Sequence, residues 1–538
     1  MSESSGSIQV SAERAPTYSI PRALFLLSGS TLLSRIFGLA REIAMSALFS
    51  PMVTDAFIVA FRIPNILRRL FGEGALSVSV VPVMTEYHYK EGSAETRSLV
   101  NALFSVALIV LGVLTLAGIL GAPWIVKLLA PGEGFSAVPR KYELTTTLVR
   151  FTFPYIFFAG MVALCMGVLN TRKHFFAPAF SPVIFNLVQI AAMVGLGRVL
   201  GYSGIEMGIG VLAGGTLQLL LQMPYLKSNG VWPAWNPHFS HRGVRKIGRL
   251  MAPSLLGLSA AQLSSVIMLM YASFLPEGSI SYLFWADRLM ELPLGVLAVA
   301  AGTASLPVMS ELAQEKNLKG LYHYTVKSLR LLSFCAIPAT VGLVVLREPI
   351  VRVLFERGKF GPEDTVATAA ALLYYAFGLW ASASVRMIAP AFYALQNAKI
   401  PALSALLAVA IQLSYGWWMM KSLGHSGLAL ATSIGLWANF LLLFAILSRR
   451  CGVVDAANIL KELVTALGQI VIASAAMGLL VHLLWNRGIS ATIPSGGWEE
   501  GVVLFSVIFI GALAYFAAAW LMRCEDIHDL KKKLVKNL

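Results

Sequence analysis

The stretch TDAFIVAFRIPNILRRLFGEGALSVSVVPVMTE, residues 54–86, decides the fold. At about 1.5 Å per residue it is long enough, and apolar enough, to cross about 30 Å of hydrocarbon as a helix. Yet it carries Asp55, Arg62, Arg68, Arg69 and Glu73, with Pro64 expected to break its hydrogen-bond ladder and Gly72 and Gly74 beyond. Ionisable side chains at that depth cost at least about 2.5–3.5 kcal/mol on insertion scales, so their default reading is functional. The rest of the chain supports a membrane setting. Of 538 residues 57% are apolar and only 13% charged, and the mean hydropathy is +0.73. A soluble chain of this size cannot hide that much apolar surface. A soluble enzyme, a disordered chain and a small secreted disulfide scaffold are excluded.

Fourteen segments read as membrane helices, near 23–49, 54–84, 99–121, 145–169, 179–199, 205–226, 250–274, 280–309, 328–346, 366–395, 402–420, 426–447, 463–485 and 500–522. The net charge of +15 reflects loops rich in Lys and Arg rather than a nucleic-acid partner. With the N-terminus inside, about 24 of the 42 Lys and Arg fall in cytoplasmic tails and loops and about 10 outside, which predicts N-in, C-in. The polar N-terminus has no signal-peptide core. The basic tail RCEDIHDLKKKLVKNL suits an anionic leaflet.

The chain also repeats. VVPVMTE (80–86) returns as SLPVMSE (305–311), and IVKLL (125–129) as IVRVL (350–354), both at an offset of 225. LNTRKHFFAPAFS (169–181) resembles LQNAKIPALS (395–404) at nearly the same spacing. Spans one to six therefore read as duplicated in spans seven to twelve. An even number keeps the two copies in one orientation, as in parallel-repeat transporters. The expected architecture is all-α and polytopic. It comprises a tail (1–21), a six-helix lobe (22–227), a cytoplasmic linker (228–249), a second six-helix lobe (250–448), two added helices (449–522) and a basic tail (523–538).

Nearly all intramembrane charge lies in three spans, with Arg150 and Arg386 as exceptions. The first carries SRIFGLARE, with Arg35, Arg41 and Glu42. The second is the stretch already quoted. The eighth carries WADRLMELPLG, with Asp287, Arg288, Glu291 and Pro293. Single residues such as Arg62, Arg69 or Glu42 could snorkel or pair locally. Clustering on this scale instead points to a water-filled cavity lined mainly by Arg, and so to an anionic cargo. Guanidinium forks bind phosphate bidentately and stay charged. Asp55 and Glu73 are then expected to hold the arginines when cargo is absent, or to latch gates. No phosphate-binding loop, HExxH or GxSxG motif occurs, and Cys165, Cys335, Cys451 and Cys524 show no metal-ligand spacing. His174, His238, His241 and His425 read as solvated loop residues.

SRIFGLARE, the 54–86 block, ADRLMELPLGVLAVAAGTASLP, FERGKF, PAFYALQNAKIP and GLALATSIG resemble, in order from about 22 to 447, the MurJ (MviN) family. These are bacterial lipid II flippases of the multidrug/oligosaccharidyl-lipid/polysaccharide exporter superfamily. The resemblance implies two six-helix lobes in a V around a cationic cavity, with the two extra helices forming a groove for the lipid tail. The implied cargo is undecaprenyl-pyrophosphoryl-MurNAc-pentapeptide-GlcNAc, crossing the cytoplasmic membrane without covalent chemistry. It implies cargo-binding roles for Arg35, Arg41, Arg68 and Arg288, and gating or charge-pairing roles for Asp55, Glu73, Glu42, Arg62, Asn65 and Asp287. Glu42 stands where the family often has Asp. No cofactor is expected, with coupling to membrane potential or a monovalent ion. Partners are lipid II, anionic lipids and cell-wall synthesis proteins. The rival readings are a flippase for another polyprenyl-linked glycan, a drug exporter, or a membrane glycosyltransferase using lipid II. A drug exporter would favour carboxylates and aromatics. A glycosyltransferase would need a catalytic carboxylate facing a large outer loop, whereas the stretches at 122–144, 347–365 and 486–499 are short.

Overall fold

The protein was analysed as a computed structural model, which describes residues 20–70, 76–451, 456–489, 498–522 and 524; within these, the backbone alone is described at 20–28, 76–78, 252–261, 296–304, 456–460 and 487–489. The helices in order are α1 (Ile20–Leu48), α2 (Pro51–Leu70), α3 (Leu76–Lys90), α4 (Gly92–Leu120), α5 (Ala122–Leu129), α6 (Glu133–Ser136), α7 (Lys141–Thr152), α8 (Tyr155–Thr171) and α9 (Phe176–Leu200). They continue as α10 (Ile205–Ser228), α11 (Arg242–Ala272), α12 (Ser279–Gln314), α13 (Leu318–Val345), α14 (Arg347–Phe355), α15 (Pro362–Ala394), α16 (Lys399–Cys451), α17 (Ala456–Leu483) and α18 (Trp498–Leu521). A π-helical turn, Leu484–Ile489, follows α17.

Local chemistry explains the punctuation. Gly201, at φ 66, ends α9, and the Asn317 side chain accepts a hydrogen bond from the Gly320 amide to start α13. Within α16, Gly424 at φ 58, ψ −137 joins two helical arms, so this one long element supplies two of the expected segments. Among the described residues, nine helices are long and apolar enough to cross a membrane. The expected segments outside that group fall on α1, α2–α3, α11 and α12, of which α1, α2 and α12 line the cavity described below. Three of these segments carry the clustered charge, and α11 opens with Arg242, Arg245, Lys246 and Arg249.

Pro64 removes one rung of the α2 ladder without ending the helix, which continues to Leu70; the freed Ala60 carbonyl accepts from the Thr152 hydroxyl at 3.1 Å. Two sequence expectations need correction. The stretches at 122–144 and 347–365 are not plain loops, since they carry α5, α6 and α14. The histidines are not uniformly solvated. His241 is buried, accepts from the Gly243 amide to cap α11 and lies 3.3 Å from Glu95. His174 stacks against Tyr225, and burial holds its imidazole below the usual range.

Packing sorts the helices into two groups. In the first, α9 packs on α10 and α1, α8 on α10, α3 and α4, and α2 on α7. In the second, α15 packs on α12, α13 and α16, and α11 on α16. The break into a long helix followed by a short one recurs as α4–α5 and α13–α14, where the IVKLL and IVRVL echoes lie. Among the described residues, helices α17 and α18 pack on the second group alone. Phe334 and Leu346 join Ile470, Met477, Leu504 and Val507 in a separate apolar core, and the Tyr515 hydroxyl donates to the Phe334 carbonyl at 2.7 Å.

Candidate functional site: an arginine-lined cavity closed at one end

Helix α1 ends, and α2 and α12 begin, at one end of the bundle. There Asp55 is 1% exposed and accepts four hydrogen bonds. Lys141 Nζ donates at 2.8 Å from α7 of the same group. The Gly278 amide (2.9 Å), the Ser281 amide (2.8 Å) and the Ser281 hydroxyl (2.6 Å) donate from the other group. Asp55 therefore caps α12, placing a carboxylate where that helix presents its unpaired amides and positive dipole end. Thr54 and Ser281 hydroxyls meet at 2.8 Å, and the Gly132 amide donates to Ser273 Oγ at 2.9 Å. The Lys359 amide donates to the Ala47 carbonyl at 2.9 Å. Backbones come so close that a Cβ built on Gly134 would lie 2.1 Å from the Leu275 oxygen. The two groups are joined firmly at this end.

Beneath the junction lies a cavity of about 630 Å³. Its lining includes seven arginines (Arg35, Arg41, Arg62, Arg68, Arg69, Arg288 and Arg386) against two carboxylates, Glu42 and Glu291. Glu42, 6% exposed, bridges the two groups through one oxygen, 3.2 Å from Arg41 Nη2 and 3.2 Å from Arg288 Nε. Arg288 also reaches Glu291 at 2.6 Å and lies 5.0 Å over the Phe284 ring. Asn65 Oδ1 accepts from both Nε and Nη2 of Arg68 at 3.2 Å and so orients that guanidinium. Arg62 crosses between the groups to donate to the Ser265 carbonyl at 2.8 Å. Asp287 is close enough to Arg62 and Arg69 to interact electrostatically and makes no ion pair among the described residues. Glu73 lies outside the described residues. The cavity thus gathers Arg35, Arg41, Glu42, Arg62, Asn65, Arg68 and Arg288, while Asp55 stands apart from the arginines at the junction.

The walls are unequal. Helix α2 packs on both α11 and α12, and α3 packs on α11, where Lys246 meets Glu86 at 2.6 Å. Helix α1 packs on α9 and touches α2 and α14, but shares no comparable packing with α12 among the described residues. The two meet there through side chains, Glu42 to Arg288 above all. The sequence reading missed Lys141, whose partner is 86 residues away. It also missed Ser281, which had a signal: it lies 226 residues from Asp55, within one residue of the repeat offset, as Arg288 does from Arg62.

Two helix groups fixed together at one end, around a cationic cavity, define a membrane transporter. Comparison with known proteins agrees. The family model described as "Lipid II flippase MurJ" matches residues 44–494. The chain is 36% identical to the "Probable lipid II flippase MurJ" of Bdellovibrio bacteriovorus, over 95% of this chain and 96% of that one. It is 35% identical to the "Lipid II flippase MurJ" of Burkholderia cenocepacia, over 93% and 97%. Among solved structures it is similar to a lipid II flippase MurJ in an inward closed conformation, with a TM-score of 0.74, 26% identity and coverage of 93% and 98%. An inward-facing multidrug transporter of the MATE family, MOP superfamily, shares the fold at a TM-score of 0.64 and 17% identity, covering 80% and 98%. The chain belongs to the MurJ family.

Proposed function

We propose that the protein carries lipid II from the inner to the outer leaflet of the bacterial cytoplasmic membrane by alternating access. The observation that carries this reading is the cavity with seven arginines and two glutamates, closed at one end. Fourteen crossings with both termini cytoplasmic would put the Asp55 junction outside and the Lys246–Glu86 contact inside. The disaccharide-peptide headgroup enters between α1 and α12, where helix packing is least, while the prenyl tail stays in lipid. Arg35, Arg41, Arg68 and Arg288 bind the pyrophosphate, whose two phosphates suit bidentate guanidinium forks. In the empty cavity Glu42 and Glu291 occupy the forks of Arg41 and Arg288. The cargo displaces them, and since Arg41 and Arg288 come from different lobes, its binding biases the lobes toward a new arrangement.

The lobes, 22–227 and 250–448, then rock, the Asp55 junction opens and the headgroup leaves outward, with the linker at 228–249 joining them. A wet cationic path spares the charge and sugars a passage through hydrocarbon. The segment 449–522 offers α17 and α18 to the prenyl chain. Return of the empty carrier draws on membrane potential or a monovalent ion. Depletion of the protein in its own bacterium is the test. Lipid II should accumulate on the inner leaflet, whereas build-up of a different polyprenyl-linked glycan would overturn the assignment.

A further inference from the structure

The seven cavity arginines differ in depth and in partners. Counting along each helix from the sealed end at about 1.5 Å per residue, Arg41, Arg62 and Arg288 lie about 10 Å in. Arg35, Arg68 and Arg69 follow at about 20 Å. Arg386 is twenty-two residues along α15 from Asp364, about 33 Å of helix, and Asp364 is tied to the sealed end by the Tyr282 hydroxyl at 2.6 Å. The deep arginines are all engaged: Arg41 and Arg288 with carboxylates, Arg62 with a carbonyl. Arg35 and Arg386 make no hydrogen bond or ion pair among the described residues, and both are exposed to the cavity. Arg386 is also the one charge between Thr365 and Ala394. Packing does not need it there, since its neighbours Met387 and Ile388 are buried apolar residues.

We propose that Arg386 forms a separate anion-binding point at the mouth of the cavity, which captures the cargo's pyrophosphate before the deeper arginines receive it. This rests on the transport reading above. A lipid-linked phosphate enters at the level of its own leaflet, far from the sealed end, so it meets Arg386 first. Arg386 has no carboxylate partner among the described residues and binds without displacing one. Transfer inward requires exchange with Glu42 and Glu291 at Arg41 and Arg288, and that exchange bridges the lobes. Capture and closure are thereby assigned to different residues. Capture by exposed cations is screened by salt, whereas exchange at the buried, paired arginines is screened less.

The test is initial transport rate in proteoliposomes as a function of lipid II concentration, for the wild type, Arg386→Gln, Arg386→Lys and Arg288→Gln at matched protein incorporation. The expected result for Arg386→Gln is a rise of about tenfold in the half-saturating concentration, a smaller change in maximal rate, and a weaker dependence of apparent affinity on salt. Arg386→Lys should recover most of the affinity, because capture needs charge more than fork geometry. Arg288→Gln should instead lose maximal rate. Repeating the series without phosphatidylglycerol separates cargo from bulk lipid. A defect confined to vesicles containing that lipid would mean that Arg386 binds bulk anionic headgroups, and would overturn the proposal. So would an unchanged half-saturating concentration in Arg386→Gln. If Arg288→Gln still abolished transport in that case, the transport reading would stand and only the mouth subsite would fall.

Discussion

Changing Asp55 to Asn should unlock the sealed end. The carboxylate accepts one bond from Lys141 within its own lobe and three from Gly278 and Ser281 across the junction. Of these four bonds, opening the junction breaks only those three. Hydrogen bonds to a charged group contribute about 1.5–3 kcal/mol each. Asparagine keeps one oxygen, turns an amide toward donors and loses the charge that favours the α12 N-terminus, so closure should weaken by roughly 3 kcal/mol. At about 1.4 kcal/mol per factor of ten, that moves the gate about a hundredfold toward opening. Lys141, 1% exposed, also loses its counter-ion, so part of the damage will appear as lower stability. Spin labels at Ser136 and Glu277, exposed on opposite sides of the junction, report the gate by electron-electron distance measurement. The unsubstituted gate should give one short population, and Asp55→Asn a second, longer one. An unchanged distribution from protein of normal abundance would refute the latch.

Three further outcomes follow from the same contacts. Gly358→Ala should loosen the same end: Gly358 has φ +63, which disfavours a side chain by about 1–2 kcal/mol, and its Cβ would lie 2.1 Å from the Ala47 carbonyl oxygen. The label distances should broaden, and an unaltered distribution would count against a close-packed junction. Photocrosslinkers at Leu479, Val503 and Phe509 should capture the prenyl chain; Leu479 and Phe509 are 61% and 59% exposed on the helices outside the repeat. Failure to capture lipid at all three, with bulky replacements harmless, would remove the groove. Finally, cysteines at Ser240 and Lys359 should react with an impermeant thiol reagent from opposite sides, Lys359 from outside. Labelling of residue 240 from outside would reverse the orientation.

Much of this fold was legible because membrane physics writes long apolar runs into sequence, and the described residues of each expected segment fall mainly on helix. Charges inside such runs marked α1, α2 and α12, and the structure gathers Arg35, Arg41, Arg68 and Arg288 into one cavity. The short helices α5, α6 and α14 were not legible, because a connection of about twenty residues carries little periodicity. The pairing of Asp55 was also hidden. An acidic residue next to an arginine-rich span suggests an arginine partner, but its cation is Lys141, brought in by α7 packing on α2. Its other partners are two backbone amides, which leave no mark in a sequence, and the Ser281 hydroxyl. Ser281 was recoverable, since aligning the repeat one residue further along sets it against Asp55. Arg386 stood out as an isolated charge, and only the cavity gave it a place.

The central claim is that arginines from both lobes hold the anionic cargo as it crosses. The direct measurement is lipid II transport into purified proteoliposomes by Arg41→Ala and Arg288→Ala, each reconstituted at the wild-type level. Each variant removes a charge-assisted fork worth about 1.5–3 kcal/mol per hydrogen bond, so transport should fall by about tenfold to a hundredfold or more. Wild-type rates from both variants, with folded and correctly inserted protein, would contradict the account.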